Sequence, residues 1–92
     1  MYYVYILEST RHPERRYVGF TEQLKQRLAD HNSGKNSSTR TGKPWELVFY
    51  ASFVEKADAL RFEAYLKTAS GKAFARKRLL PRLRNESEEC PS

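Results

Sequence analysis

The sequence predicts an α/β domain of the α+β kind, with its elements in the order β-β-α-β-α-α. Three observations carry that prediction. Residues 2–8, 16–20 and 45–53 are short runs rich in aromatic and β-branched side chains, which suit half-buried strands. The first two runs are joined by the polar, proline-containing STRHPERR, so they should form an antiparallel hairpin. Apolar residues then recur at helical spacing, first at Leu24 and Leu28 and later at Ala57, Leu60 and Ala64.

Each element has a local reason. Thr21 follows the second strand and is the expected N-cap of the first helix, because its hydroxyl can accept from a free backbone N–H. Gly34 is the expected stop, since glycine tolerates a left-handed cap. Residues 35–44 are polar and loop-like. A second helix is expected over 54–70, with Ala57, Leu60, Ala64, Phe62 and Leu66 turned inward. Gly71 breaks that pattern, and a third, basic helix is expected over 72–83, ending near Pro81. The acidic tail, 85–92, is expected to be disordered, so the domain should occupy 1–84. No internal repeat or linker divides it.

Composition narrows the function. The chain has 92 residues, room for one modest core. No apolar run approaches the roughly 18 residues that span a bilayer, so no membrane partner is expected. The N-terminal run is short, alternating and without a basic leader, and is not read as a signal peptide. The single cysteine, Cys90, cannot close an internal disulfide, so a reducing cytoplasm is the expected location. A net charge of +6 favours a polyanion, most often nucleic acid.

Several side chains stand out. Arg27 and His31 lie three and seven residues after Leu24, on the stripe that faces inward. A guanidinium there needs an anion, either an internal carboxylate or a ligand phosphate, unless it snorkels to water. His31 suits either a general base or a helix-terminal imidazole favoured by the macrodipole. Glu63 sits among Ala59, Leu60 and Leu66 and needs a cation. That cation is Arg27 or Arg61 in a salt bridge, or a metal such as Mg²⁺, which often uses one or two carboxylates. His12 lies in the hairpin loop and reads as surface. The segment from Gly34 to Lys43 is not a phosphate-binding P-loop, because Ser37 stands where glycine is required and Pro44 follows the lysine. It is still basic and hydroxyl-rich, which suits contacts to a polyanion backbone through Lys35, Arg40 and Lys43. The third helix, with Lys72, Arg76, Lys77 and Arg78, either tracks phosphates or is a solvated face.

Together these residues resemble the GIY-YIG nuclease superfamily. Val4-Tyr5-Ile6 is similar to the first motif and Tyr17-Val18-Gly19 to the second. Their spacing, the T-x-x-L-x-x-R-L-x-x-H run from Thr21 to His31, HNSG from His31 to Gly34, and Glu63 in the helix after the third strand all fit. The likeness is greatest to small, single-domain bacterial members and runs from about Tyr2 to Arg78. It implies a three-stranded antiparallel sheet flanked by helices and a metal-dependent phosphodiesterase acting on DNA, with RNA left open. The implied catalytic set is Tyr5, Tyr17, Arg27, His31 and Glu63. Tyr5 would orient or activate the attacking water and His31 relay its proton. Tyr17 would bond the phosphate or water, Arg27 would stabilise the transition-state charge, and Glu63 would hold Mg²⁺, with Mn²⁺ as a substitute. Gly19 would permit close packing beside them. One departure is that many members carry an Asn in the helical region after the glutamate, whereas none lies between Glu63 and Arg84. The expected function is a DNA nuclease of low sequence specificity, of a structure-selective repair or recombination type, acting as a monomer or weak dimer. The alternative is a nucleic-acid-binding module of the same fold with little catalysis.

Overall fold

The computed structural model describes residues 1–34 and 40–79. Strand β1 (Tyr2–Ser9) is central, flanked by β2 (Arg16–Thr21) and β3 (Trp45–Phe53), in the order β2-β1-β3 with both pairings antiparallel. The helices are α1 (Leu24–Ser33), α2 (Lys56–Leu66) and a short α3 (Ala69–Phe74). The three strands match their expected positions closely, and the sheet is the expected three-stranded antiparallel one.

Alternation along β1 divides the molecule into layers, because successive side chains point to opposite faces. Val4 and Ile6 point to one face and pack with Ala59 and Leu66 of α2 and with Ala75. Tyr5 and Leu7 point to the other and pack with Trp45, Leu24 and Leu28. The sheet therefore lies between α1 on one side and α2 with α3 on the other. Burying Leu66 alone contributes about 1.5–3 kcal/mol. The β1–β3 register shifts between Ile6 and Leu7, which pair with Phe49 and Leu47. The extra residue, Val48, joins Phe49 against the α2 layer.

Helix boundaries differ from expectation in three places. Thr21 does not cap α1. It still pairs with Tyr3 as the last residue of β2, so it cannot also be the first of a helix. Its hydroxyl instead accepts from the Gln23 N–H at 2.9 Å, and Gln23 is the cap residue. The second helix ends at Leu66, and Thr68 starts α3 by accepting from the Gly71 N–H at 3.0 Å. Gly71 is therefore not a breaker. It lies inside α3 where a Cβ would overlap the Tyr65 carbonyl, which lets α3 turn tightly against the end of α2. The expected helix over 72–83 is instead α3 followed by a wide π-type turn, Ala75–Leu79, and its remainder lies outside the described residues. So do Lys35, the Arg40 side chain and the 85–92 tail. The inward face of α2 also shifts. Ala59 and Leu66 are buried and Phe62 half-buried, whereas Ala57, Leu60 and Ala64 face solvent. The stripe repeats from Ala59 because that phase meets Val4, Ile6 and Phe49 of the sheet. The stop at Gly34 holds, with φ 87° and its N–H directed to the Asp30 and His31 carbonyls.

Candidate active site

The hairpin register sets the centre. Tyr5 pairs with Gly19 and Leu7 with Tyr17, so Tyr5 and Tyr17 share the α1 face on neighbouring strands, rings 6.3 Å apart. The Tyr5 ring lies across Gly19. A Cβ there would overlap the Tyr5 hydroxyl and its ring carbon, so only glycine lets the phenol reach over β2.

Helix α1 brings the other half. Arg27 and His31 are one turn apart and face the sheet. His31 is fully buried, and its Nε2 lies 2.9 Å from the Tyr5 hydroxyl. Its ring packs against Tyr17 at 4.8 Å and meets Tyr5 edge-on at 5.9 Å. The Arg27 guanidinium lies near enough to the hydroxyls of Tyr5 and Tyr17 to be influenced by both. The inward stripe thus brings the guanidinium to two neutral phenol oxygens rather than to an internal carboxylate. The buried His31 also shows that helix capping is not its main role.

Charge and burial fix the protons. Burial is the main cause that pushes the Tyr5 phenol up to about 12. Arg27 opposes that rise, while Tyr17 and the carboxylate of Glu63 add to it. Burial, then the nearby Arg27 charge, holds His31 below its ordinary 6.5. At neutral pH Tyr5 therefore keeps its proton and His31 is neutral. The Tyr5 hydroxyl and His31 Nε2 share one proton across 2.9 Å, with the Arg27 guanidinium beside them. Arg27, Tyr5 and His31 thus form one polar cluster.

Glu63 comes from α2, on the other face. Its charge is felt at Tyr5, so it belongs to the same electrostatic neighbourhood. Its side chain is 19% exposed and its Oε2 lies 3.1 Å from Lys67 Nζ. The cation beside it is thus Lys67, one helical turn on, not Arg27 or Arg61, and Arg61 pairs with Asp58. Periodicity placed Glu63 at the edge of the buried stripe, where an i+4 lysine reaches it easily. No group of three or more His, Cys, Asp or Glu converges among the described residues. A single half-buried carboxylate still fits Mg²⁺, which retains several waters and needs few protein oxygens.

Asn32, in the HNSG run, joins two elements. Its side-chain amide donates to the Trp45 carbonyl at 3.1 Å and accepts from the Trp45 N–H. This two-way clamp ties the end of α1 to the start of β3 and so fixes the depth of His31. The signal was an amide directly after a buried histidine, which cannot be told from a surface Asn without the fold. The basic residues are spread more widely. Lys43 precedes β3, while Lys72, Arg76, Lys77 and Arg78 are exposed in the layer of α3, opposite the Tyr5 face. His12 is exposed, 3.9 Å from Glu14.

Comparison with known proteins identifies the family. The GIY-YIG catalytic domain family matches residues 1–78. A UPF0213 protein of Lactiplantibacillus plantarum is 36% identical over 72 residues, covering 75% of this chain and 69% of that protein. One from Staphylococcus haemolyticus is 37% identical over 70 residues, covering 75% and 83%. One from Streptococcus pneumoniae is 39% identical over 66 residues, and the match spans 65% of its length. The solution NMR structure of a UPF0213 protein from Bacillus halodurans shares the fold, with TM-score 0.54, 32% identity, and coverage of 89% of this chain and 90% of that one. The chain belongs to the GIY-YIG catalytic domain family, and with it to a nuclease superfamily. Its relatives by sequence and by structure include small bacterial UPF0213 proteins.

Proposed function

We propose that this chain is a metal-dependent nuclease that hydrolyses DNA phosphodiester bonds with low sequence specificity. The observation that carries the reading is the buried Tyr5–His31 hydrogen bond at the β1–β2 crossing, with the Arg27 guanidinium beside it. A phenol with so high a pKa is a poor base alone. It becomes competent if it passes its own proton to neutral His31 as its oxygen takes one from water. Arg27 is placed to stabilise the negative charge that develops on that oxygen and on a phosphate beside it. Tyr17, beside the same guanidinium, would help orient it. Glu63 is the carboxylate that would hold Mg²⁺, whose chemistry is to withdraw charge from the phosphate oxygens. Lys67 would yield part of its hold on Glu63 as the cation arrives.

The Glu63–Lys67 pair also favours a second reading, in which the carboxylate is already neutralised and the domain binds nucleic acid with little turnover. One experiment decides between them. Labelled single-stranded, duplex and branched DNA are incubated with Mg²⁺ or Mn²⁺ and either wild type or Glu63→Ala. Cutting that depends on metal and disappears in the variant is expected. Equal residual cutting by both proteins would remove the catalytic reading and leave the binding one.

A further inference from the structure

The α1 face of the sheet is not fully covered by α1. Leu24 and Leu28 cover Tyr5, Leu7 and Trp45, toward the end of the sheet where β1 finishes. At the other end Tyr3 and Tyr50 remain open, with Tyr50 53% exposed. Tyr50 pairs directly with Tyr5 across β1–β3, and Tyr5 pairs with Gly19 across β1–β2. The three form one row on one face. Tyr3 is two residues from Tyr5 along the same strand, roughly 7 Å away. The Tyr3 and Tyr50 rings lie 6.1 Å apart at a 59° tilt, a packed pair that leaves the Tyr50 ring exposed to the α1 side.

This pair lines a groove of about 390 Å³, walled on its far side by Glu22, Gln23, Leu24, Lys25 and Gln26 at the start of α1. The lining is suited to a nucleotide. Aromatic faces take a base by stacking, which tolerates any base because every base has a π-face. Glutamine side chains present both a donor and an acceptor to base edges. Gln26 is steadied by donating to Asp30 at 2.9 Å. Lys25 adds a cation and Glu22 a carboxylate, and α1 begins without a side-chain cap bond, so its first-turn N–H groups are available to a phosphate oxygen. A stacked duplex cannot use an aromatic face in this way, because its bases present only their edges to the grooves.

We propose that Tyr3 and Tyr50 form a stacking platform for an unpaired base of the strand bound at the Tyr5–Arg27 centre, so that this protein selects single-stranded or splayed nucleic acid over uninterrupted duplex. The inference rests on reading that centre as a nucleic-acid phosphate site. Its test uses binding without metal, so it is separable from the question of cutting.

Fluorescence anisotropy is measured in chelator with single-stranded, splayed-arm and fully paired DNA of equal length. Wild type is expected to bind the first two more tightly than duplex. Tyr50→Ala should weaken binding to them roughly five- to a hundredfold, the effect of losing one stacked base, and leave duplex binding within about twofold. Tyr50→Leu keeps the apolar bulk but not the π-face and should show the same selective loss, whereas Tyr50→Trp should retain affinity. Melting temperatures within a few degrees of wild type should accompany all three, as Tyr50 is exposed. Equal weakening toward all three DNAs, no weakening, full affinity in Tyr50→Leu, or no measurable binding of wild type to any strand would each overturn the proposal. Wild type that binds as predicted but never cuts would leave the platform standing and remove only the nuclease reading.

Discussion

At the scale of single residues, the proposed proton path joins a phenol whose pKa burial raises to an imidazole whose pKa burial lowers. Tyr5→Phe removes the hydroxyl that Arg27 and His31 share. Cleavage should fall by at least a hundredfold, within the usual range for acid–base groups, while the fold persists at a cost of about 1 kcal/mol for the lost hydrogen bond. The pH dependence has a definite sign. His31 must be neutral to accept, and its pKa is held below 6.5, so activity should be flat near neutrality and decline only as the pH drops well below that value. Stability follows the same group. A lowered pKa in the folded state gives stability that is full above 6.5 and is lost as pH falls toward the folded value. The Tm advantage of wild type over His31→Gln should therefore shrink between pH 7 and pH 5. Tyr5 acts at the other end. Its raised pKa gives stability that is present below 10 and is lost as pH rises toward about 12. A Tm titration from pH 9 to 12 should show the loss in wild type and much less of it in Tyr5→Phe.

At the scale of elements, α3 is held by a close approach that no larger residue permits. In Gly71→Ala the new Cβ would meet the Tyr65 carbonyl, which is backbone and cannot rotate away. Circular dichroism melts should show a loss of about 1–3 kcal/mol, the usual cost of overpacking. Leu66→Ala, in the adjacent core, should cost about 2–5 kcal/mol. These elements also show what the sequence could and could not reveal. The strands were legible because aromatic and β-branched residues crowd into three runs, and Arg27 and His31 because they share one helix face, whereas Tyr5 and Tyr17 stand out from other strand aromatics only through the family resemblance. The end of α1 was legible from Gly34, whose conformation suits little else. The phase of α2 was not, because alanines and leucines lie on both sides of that helix and only the sheet chooses between them. The break at Thr68 was hidden for a similar reason. A threonine capping α3 looks the same in sequence as a threonine inside a longer helix. Glu63 could be singled out, but its partner Lys67 could not, since Arg61, Arg27 and Lys67 were all within plausible reach.

At the scale of the whole molecule, the net charge of +6 has to be weighed against where the cations stand. Lys25 borders the Tyr3–Tyr50 groove, whereas Lys72, Arg76 and Arg78 are exposed in the opposite layer. A strand using both must pass around an edge of the sheet. Binding of single-stranded DNA should weaken linearly in log–log terms with salt. Replacing Lys72, Arg76 and Arg78 together by Ala should reduce that slope by about 2, at roughly 0.7 per phosphate contact. An unchanged slope would confine the bound strand to the α1 face. No helix among the described residues is long and apolar enough to cross a membrane.

The overlap between Tyr5 and position 19 has a consequence for how sequences of this kind can diverge. Two positions in separate motifs share a single volume, so they are not free to drift independently. A chain that gains any side chain at 19 has to shrink or redirect the residue at 5, and in doing so it gives up the hydroxyl that meets His31. Drift at 19 is therefore a one-way exit from the chemistry proposed here. Gly19→Ala made together with Tyr5→Leu should fold better than Gly19→Ala alone, yet neither should cut.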